Sequence, residues 1–176
     1  MKGYWRDEDA TSAAIREGWL HTGDVGSIDA EGYLEITDRK KDIIVLSGGD
    51  NVSPARIEGF LVLQPEINQA MVHGDHHPHL VALVVPDEEF VASWSSARGR
   101  RAPLAEIADD AGFRQAVAAA VERVNAGLSA IERIRRFAIL KEPFSTENAM
   151  LTVSLKIRRH KIRGHYGALL EELYKS

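Results

Sequence analysis

Four short stretches of the 176-residue chain combine side chains in ways that suit chemistry. In Trp19-Leu20-His21-Thr22-Gly23-Asp24 a carboxylate follows a glycine. So placed, it stands clear of its backbone and accepts from two neighbouring hydroxyls, the geometry a ribose diol offers; a turn ahead of a hairpin is the plainer use of the same residues. In Asp38-Arg39-Lys40-Lys41-Asp42, followed by Ile43 to Leu46 and Ser47-Gly48-Gly49-Asp50-Asn51, Arg39 suits the sugar or phosphate of a nucleotide. Gly48 and Gly49, coming after a strand, let a ligand approach the backbone. Taken singly these are also a charged loop and a hairpin turn. In Leu151-Thr152-Val153-Ser154-Leu155-Lys156-Ile157-Arg158-Arg159 the ammonium of Lys156 is a compact point charge on a flexible stem. On a loop it suits the neutralisation of a carboxylate and a phosphate as they react; the alternative is a solvated lysine ahead of a basic helix. Finally, His73-Gly74-Asp75-His76-His77-Pro78-His79 holds four histidines and an aspartate. That composition invites a metal, but the spacing is that of a tight turn between strands. A histidine-rich hairpin tip, with no metal site, is the reading taken.

These residues need elements to hold them. A loop and a short helix capped by Asp9 or Thr11 are expected over residues 1–20, then a hairpin over 24–37 turning at Asp29-Ala30-Glu31-Gly32. Ile43 to Leu46 reads as a strand, and Ser53-Pro54 as the cap and first residue of a helix ending near Gln64-Pro65. Strands follow at Ile67 to His73 and Leu80 to Val85, with helices at 87–97 and 111–128. In the longer helix Phe113, Val117, Ala120, Val121, Val124 and Leu128 recur at helical spacing. Ile134 to Leu140 alternates as a strand does, a loop runs from Glu142 to about Leu155, and a final helix puts Ile162, Tyr166, Leu169, Leu170 and Leu173 on one face. The order predicts an α+β fold: a small, mostly antiparallel sheet flanked by helices and preceded by a β-hairpin.

The composition is that of an ordinary globular chain, with 44% apolar and 27% charged residues, which excludes disordered and collagen-like classes. No cysteine is present, so disulfides, thiolate metal sites and a cysteine nucleophile are excluded. The longest apolar run, Leu80 to Pro86, falls far short of the roughly 20 residues needed to cross a bilayer. No secretory h-region follows Met1, and a cytoplasmic protein is expected. The net charge of -4 is unevenly spread: Arg133 to Arg163 holds nine basic and only two acidic residues. Such a segment in an acidic chain suits a partner carrying phosphate or carboxylate, peripheral membrane contact included, or is a solvated helix face. The aromatic-basic interleaving of an RNA-binding sheet is missing, so no nucleic-acid partner is expected.

Gly3-Tyr4-Trp5, Gly18-Trp19-Leu20-His21-Thr22-Gly23-Asp24, Asp38-Arg39-Lys40-Lys41-Asp42 and Leu151-Thr152…Lys156-Ile157-Arg158-Arg159 occur in the order and spacing of one family. In these motifs the chain resembles the C-terminal part of the adenylate-forming enzymes, the superfamily of acyl-CoA synthetases, peptide-synthetase adenylation domains and luciferases. Met71-Val72-His73-Gly74-Asp75, Leu80-Val81-Ala82-Leu83-Val84-Val85-Pro86-Asp87 and the Leu-Thr-x-x-Leu-Lys pattern look like the long-chain fatty acid–CoA ligase branch. The resemblance implies a division into residues 1–37, the trailing edge of a large N-terminal domain, and residues 38–176, a C-terminal lid, with the hinge near 38–42. It implies that Asp24 holds the ribose hydroxyls of ATP or acyl-AMP and that Arg39 also contacts the nucleotide. Lys41 becomes the hinge residue. Gly48 and Gly49 line the channel for the pantetheine of CoA, and Lys156 is the catalytic lysine that orients the fatty carboxylate against the α-phosphate. ATP with its Mg2+, bound mainly by the N-terminal domain, and CoA are the implied cofactors. Two positions depart from the usual pattern: Val153-Ser154-Leu155 stands where relatives commonly carry Pro or Gly, and Asp38 where many have Gly.

The expected function is thus the lid of an ATP-dependent long-chain fatty acid–CoA ligase, partnered by its own N-terminal domain, fatty acid, ATP or AMP, and CoA. The phosphate loop and the fatty-acid tunnel of the family have no counterpart in these residues, so the chain alone is expected to be inactive. Two alternatives stay open: the lid of a fatty acyl-AMP ligase that passes the acyl group to a carrier protein, and a stand-alone module binding a phosphate-bearing ligand.

Overall fold

The computed structural model describes residues 1–99 and 102–175. The chain divides into two compact units, Met1–Ile43 and Ile44–Ser176.

The first unit opens on helix α1 (Glu8–Ala14). Its cap is Asp7, not Asp9 or Thr11 as expected: Asp7 Oδ1 accepts the Ala10 N–H at 2.8 Å, while Asp9 falls within the first turn. Thr11 instead donates its hydroxyl to the Asp7 carbonyl and accepts the Tyr4 N–H. A small hairpin, β1 (Ile15–Arg16) and β2 (Trp19–Leu20), turns through Glu17 and Gly18, both at positive φ. Two such residues match the right-handed twist of the strands. The expected hairpin follows as β3 (Asp24–Ile28) and β4 (Leu34–Arg39). Its turn is tied by Asp29 Oδ1, which accepts from Glu31 and Tyr33 N–H, and closed by Gly32 at φ 89°. Strand β4 runs on through Asp38 and Arg39, so only Lys40 to Asp42 of the charged stretch forms the turn. This unit builds no core of its own: Trp5, Trp19, Ile28, Tyr33 and Leu34 are each more than half exposed.

The second unit begins with a short pair, β5 (Ile44–Val45) and β6 (Asn51–Val52). Helix α2 (Pro54–Val62) starts as expected, with Ser53 Oγ accepting the Arg56 N–H and Pro54 filling a position whose N–H needs no partner. A three-stranded sheet follows in the order β7 (Ile67–His73), β8 (Leu80–Pro86), β9 (Ile134–Ile139). Strands β7 and β8 are antiparallel, but β8 and β9 run parallel. The sheet is therefore mixed, although every other strand pair among the described residues is antiparallel as expected. Parallel neighbours need a long crossover, here helices α3 (Glu88–Ser96), α4 (Leu104–Ile107) and α5 (Ala111–Asn125). Helix α6 (Arg159–Lys175) ends the described chain.

Every residue of β8 is buried, and its alternation divides the interior in two. Leu80, Ala82 and Val84 pack with Ile57 and Leu61 of α2 and Phe113, Val117 and Val121 of α5. Val81, Leu83 and Val85 pack with Phe144, Met150 and, from α6, Ile162 and Leu170. Burial of each such Val, Leu, Ile, Phe or Met side chain contributes roughly 1.5–3 kcal/mol, so β8 is the axis of the unit.

His73 closes β7 in this interior. Burial chiefly, with Arg163 and His77 alongside, lowers its pKa from 6.5 to about 4, against the opposite pull of Glu171 and Asp75. The unfolded chain thus takes up a proton near pH 6.5 that the folded chain refuses until about pH 4. The neutral imidazole's contribution to stability is complete above the higher value and is lost as the pH falls towards the lower. After discount for solvent screening it is on the order of 2 kcal/mol. Urea unfolding across this range checks it: the unsubstituted chain should lose about that much more stability than His73→Asn, whose amide does not titrate.

Candidate functional site

The residues singled out by the sequence lie at three places, one on the first unit and two on the second. On the first, the register of β3 with β4 sets Asp24 opposite Arg39, and their side chains meet: Arg39 Nε lies 3.1 Å from Asp24 Oδ1. The backbone here is fixed from both sides. Asp24 N–H donates to Thr22 Oγ1 at 3.1 Å, Lys40 N–H donates to the Gly23 carbonyl at 2.8 Å, and Gly23 takes φ 76°. A cleft lined by Arg16, His21, Thr22, Asp24 and Lys40 opens at this point. An anchored carboxylate with a second oxygen available, beside three cationic side chains, is chemically suited to a hydroxyl pair carried next to a phosphate. Lys41 is exposed, in a turn whose Asp42 and Ile43 N–H groups both donate to the Arg39 carbonyl. The division between the units falls two residues on, after Ile43.

On the second unit, Gly48 and Gly49 form the exposed tip between β5 and β6. Leu46 N–H donates to the Asp50 carbonyl and Gly49 N–H to that of Leu46. Gly49 adopts φ 91°, which a side chain would strain. The tip is also bonded to the turn between β7 and β8: Ser47 N–H donates to the His77 carbonyl at 3.0 Å, His76 N–H to that of Val45 at 2.8 Å.

Lys156 sits on another exposed turn of this unit, closed by the Leu151–Ile157 bridge. Thr152 N–H donates to the Lys156 carbonyl, Lys156 N–H returns to Thr152 Oγ1 at 3.0 Å, and Arg158 N–H donates to the Met150 carbonyl. The turn therefore has an ordered backbone while presenting Val153, Leu155 and Lys156 to solvent. Leu155 occupies the left-handed region at φ 58°. Glycine meets no steric cost there, whereas a leucine is strained.

Two residues at the foot of this turn were not given roles by the sequence. Arg159, at the start of α6, makes a bidentate pair with Glu58 of α2, both N–O distances being 2.6 Å. Glu58 Oε1 also accepts the Val72 N–H of β7 at 2.7 Å. The pair joins helix, sheet and the foot of the Lys156 turn, and Glu58 is almost fully buried. The only sequence signal is an acidic residue among the apolar positions Pro54, Ile57 and Leu61 of α2. The basic segment is also partly committed to structure: Lys141 pairs with Asp109, and Arg136 donates to the Leu173 carbonyl.

Among known proteins, the C-terminal domain of AMP-binding enzymes matches residues 41–176 as a family. The long-chain-fatty-acid–CoA ligase FadD15 of Mycobacterium tuberculosis is 38% identical over 176 residues; the alignment covers 99% of this chain but 29% of that protein. In structure, the adenylation domain of a carboxylate reductase from Mycobacterium chelonae superposes with a TM-score of 0.83 at 28% identity, over 99% of this chain and 26% of that one. The corresponding domain from Segniliparus rugosus, solved with AMP and a co-purified carboxylic acid, gives 0.80 at 29% identity, over 98% and 26%. The chain thus spans less than a third of the length of each of these proteins.

Proposed function

The chain belongs to the C-terminal domain family of AMP-binding enzymes, and from that premise we propose that it is the lid, with a strip of the preceding large domain, of an ATP-dependent long-chain fatty acid–CoA ligase. The reaction joins a fatty carboxylate to the α-phosphate of ATP, releasing pyrophosphate, and then transfers the acyl group from AMP to the thiol of CoA. The observation that carries the reading is the display of Lys156 on a turn whose backbone is fixed while its ammonium is free to reach.

Attack of a carboxylate on a phosphate crowds anions together, so a cation that arrives as the lid closes supplies stabilisation at the moment of reaction. Lys156 is that cation. Asp24 accepts the ribose hydroxyls, and Arg39, paired with it, fixes its orientation and reaches the nucleotide. Mg2+ travels with the phosphates, held mainly by the large domain. Rotation about the Lys41 turn then exchanges Lys156 for the Gly48–Gly49 tip, whose bare backbone admits the pantetheine arm. One hinge lets one pocket serve both steps. The coreless first unit supports the assignment of residues 1–37 to a larger domain, since its tryptophans and several of its aliphatic residues stay exposed.

Transfer to a carrier protein is the second reading, supported by the likeness to carboxylate reductase adenylation domains. One assay pair tests both. The 176-residue chain alone is expected to show no fatty-acid-dependent ATP–pyrophosphate exchange, and the chain joined to its large domain to show it and to consume one CoA per AMP formed. Exchange by the isolated chain would overturn the lid assignment; exchange without CoA consumption would move the acceptor to a carrier.

A further inference from the structure

The turn read from the sequence as a histidine-rich hairpin tip gains a carboxylate from a distant element. Glu171 of α6 brings an oxygen to 3.4 Å from His77 Nε2, and one ligand atom from each of His73, His77 and Glu171 lies within 4.8 Å of the other two. We propose that these three residues form a binding site for a divalent transition-metal ion of the zinc class, clamping the turn between β7 and β8 to α6.

Two imidazoles and a carboxylate are a donor set that zinc accepts, with bonds of about 2.0–2.2 Å and a fourth position left to water. Tetrahedral bonds of that length set ligand atoms roughly 3.3 Å apart, so the His77–Glu171 pair already stands near one edge. The remaining closure is onto the buried His73, whose ligand atom lies within 4.8 Å of the other two, and Glu171, whose side chain is about half exposed, is the ligand placed to move. The histidines, by contrast, are held. The Tyr174 ring stacks on His77 with centroids 3.8 Å apart and planes 11° from parallel. Its hydroxyl is shared between the His73 and His79 carbonyls, at 3.2 Å from each. His73 is buried, with its ring edge-on to both. A fixed imidazole pair with one adaptable carboxylate is a preorganised site rather than a chance encounter of surface groups. Arg163 is the opposing charge, acting on His73, and Asp75 offsets it.

An ion here does more than join two elements. The same turn is bonded to the Gly48–Gly49 tip through Ser47, His76 and Val45, so occupancy stiffens the segment that carries those glycines.

The test uses the tag-free chain in chelator-treated buffer. Zn2+ titrated against a competing indicator is expected to bind with one equivalent of micromolar affinity or better, and Co2+ to give the intense visible bands of a tetrahedral site. Glu171→Gln, a substitution at a partly exposed position, should weaken binding at least about 10-fold, and His77→Gln similarly. His76→Gln, which alters the exposed histidine outside the proposed set, should leave affinity unchanged. Absence of stoichiometric binding would overturn the proposal. So would equal losses for His76→Gln and His77→Gln, or indifference to Glu171→Gln, since each would reduce the site to loose histidines on a turn.

Discussion

Lys156→Ala, made in the chain joined to its large domain, is expected to slow acyl-adenylate formation by about 100-fold or more, the usual cost of removing one group that meets charge developing in the transition state. Thioester formation from supplied acyl-AMP should change by no more than a few-fold, because on the proposed reading the lid then presents its other face. The turn itself survives the substitution: its closure uses the N–H and carbonyl of residue 156, which alanine retains, and the side chain is exposed. Pyrophosphate exchange measures the first step and CoA consumption from acyl-AMP the second. Equal losses in both would make Lys156 a structural residue of the turn.

Arg159→Ala is expected to destabilise the second unit by about 3 kcal/mol, because it removes the bidentate guanidinium from the buried Glu58 carboxylate. That corresponds to a fall in midpoint temperature of about 10 °C in a unit of this size. Solvent offers little relief at Glu58, whose side chain is 9% exposed. The double variant Glu58→Gln/Arg159→Met should recover much of the loss: the glutamine oxygen still accepts the Val72 N–H, and no uncompensated charge remains. Thermal unfolding of the three proteins is the measurement. A double variant as unstable as Arg159→Ala would show that the guanidinium acts through packing, not charge.

Local signals were legible where one residue type has one physical use. Ser53-Pro54 placed the start of α2, and the stripe Phe113, Val117, Ala120, Val121, Val124 placed α5, all five being buried. The apolar run of β8 read as a strand, and the structure buries it on both faces. Its parallel pairing with β9 was not legible, because an all-apolar strand carries no mark of direction and the partner lies beyond a three-helix crossover. The Asp7 cap was missed since Asp7, Asp9 and Thr11 are all competent oxygens, and only the chain's entry angle selects among them. At the site, Asp24 and Arg39 could be named but their mutual pairing could not, because it depends on register across a hairpin with a bulge at Val25/Gly26. Glu58 with Arg159, and His77 with Glu171, are joined only by the packing of α2, β7 and α6.

The ordered turn around Lys156 has an entropic consequence. Fixing a residue's backbone costs about 1–2 kcal/mol, and for Thr152 to Arg158 that cost is settled when the unit folds, through bonds internal to the turn and to Met150. A lysine delivered on a floppy loop would meet the same cost at every turnover, subtracted from the energy of closure. In the role proposed for Lys156, only the freedom of one side chain, about 2 kcal/mol, is left to be surrendered when the ammonium engages.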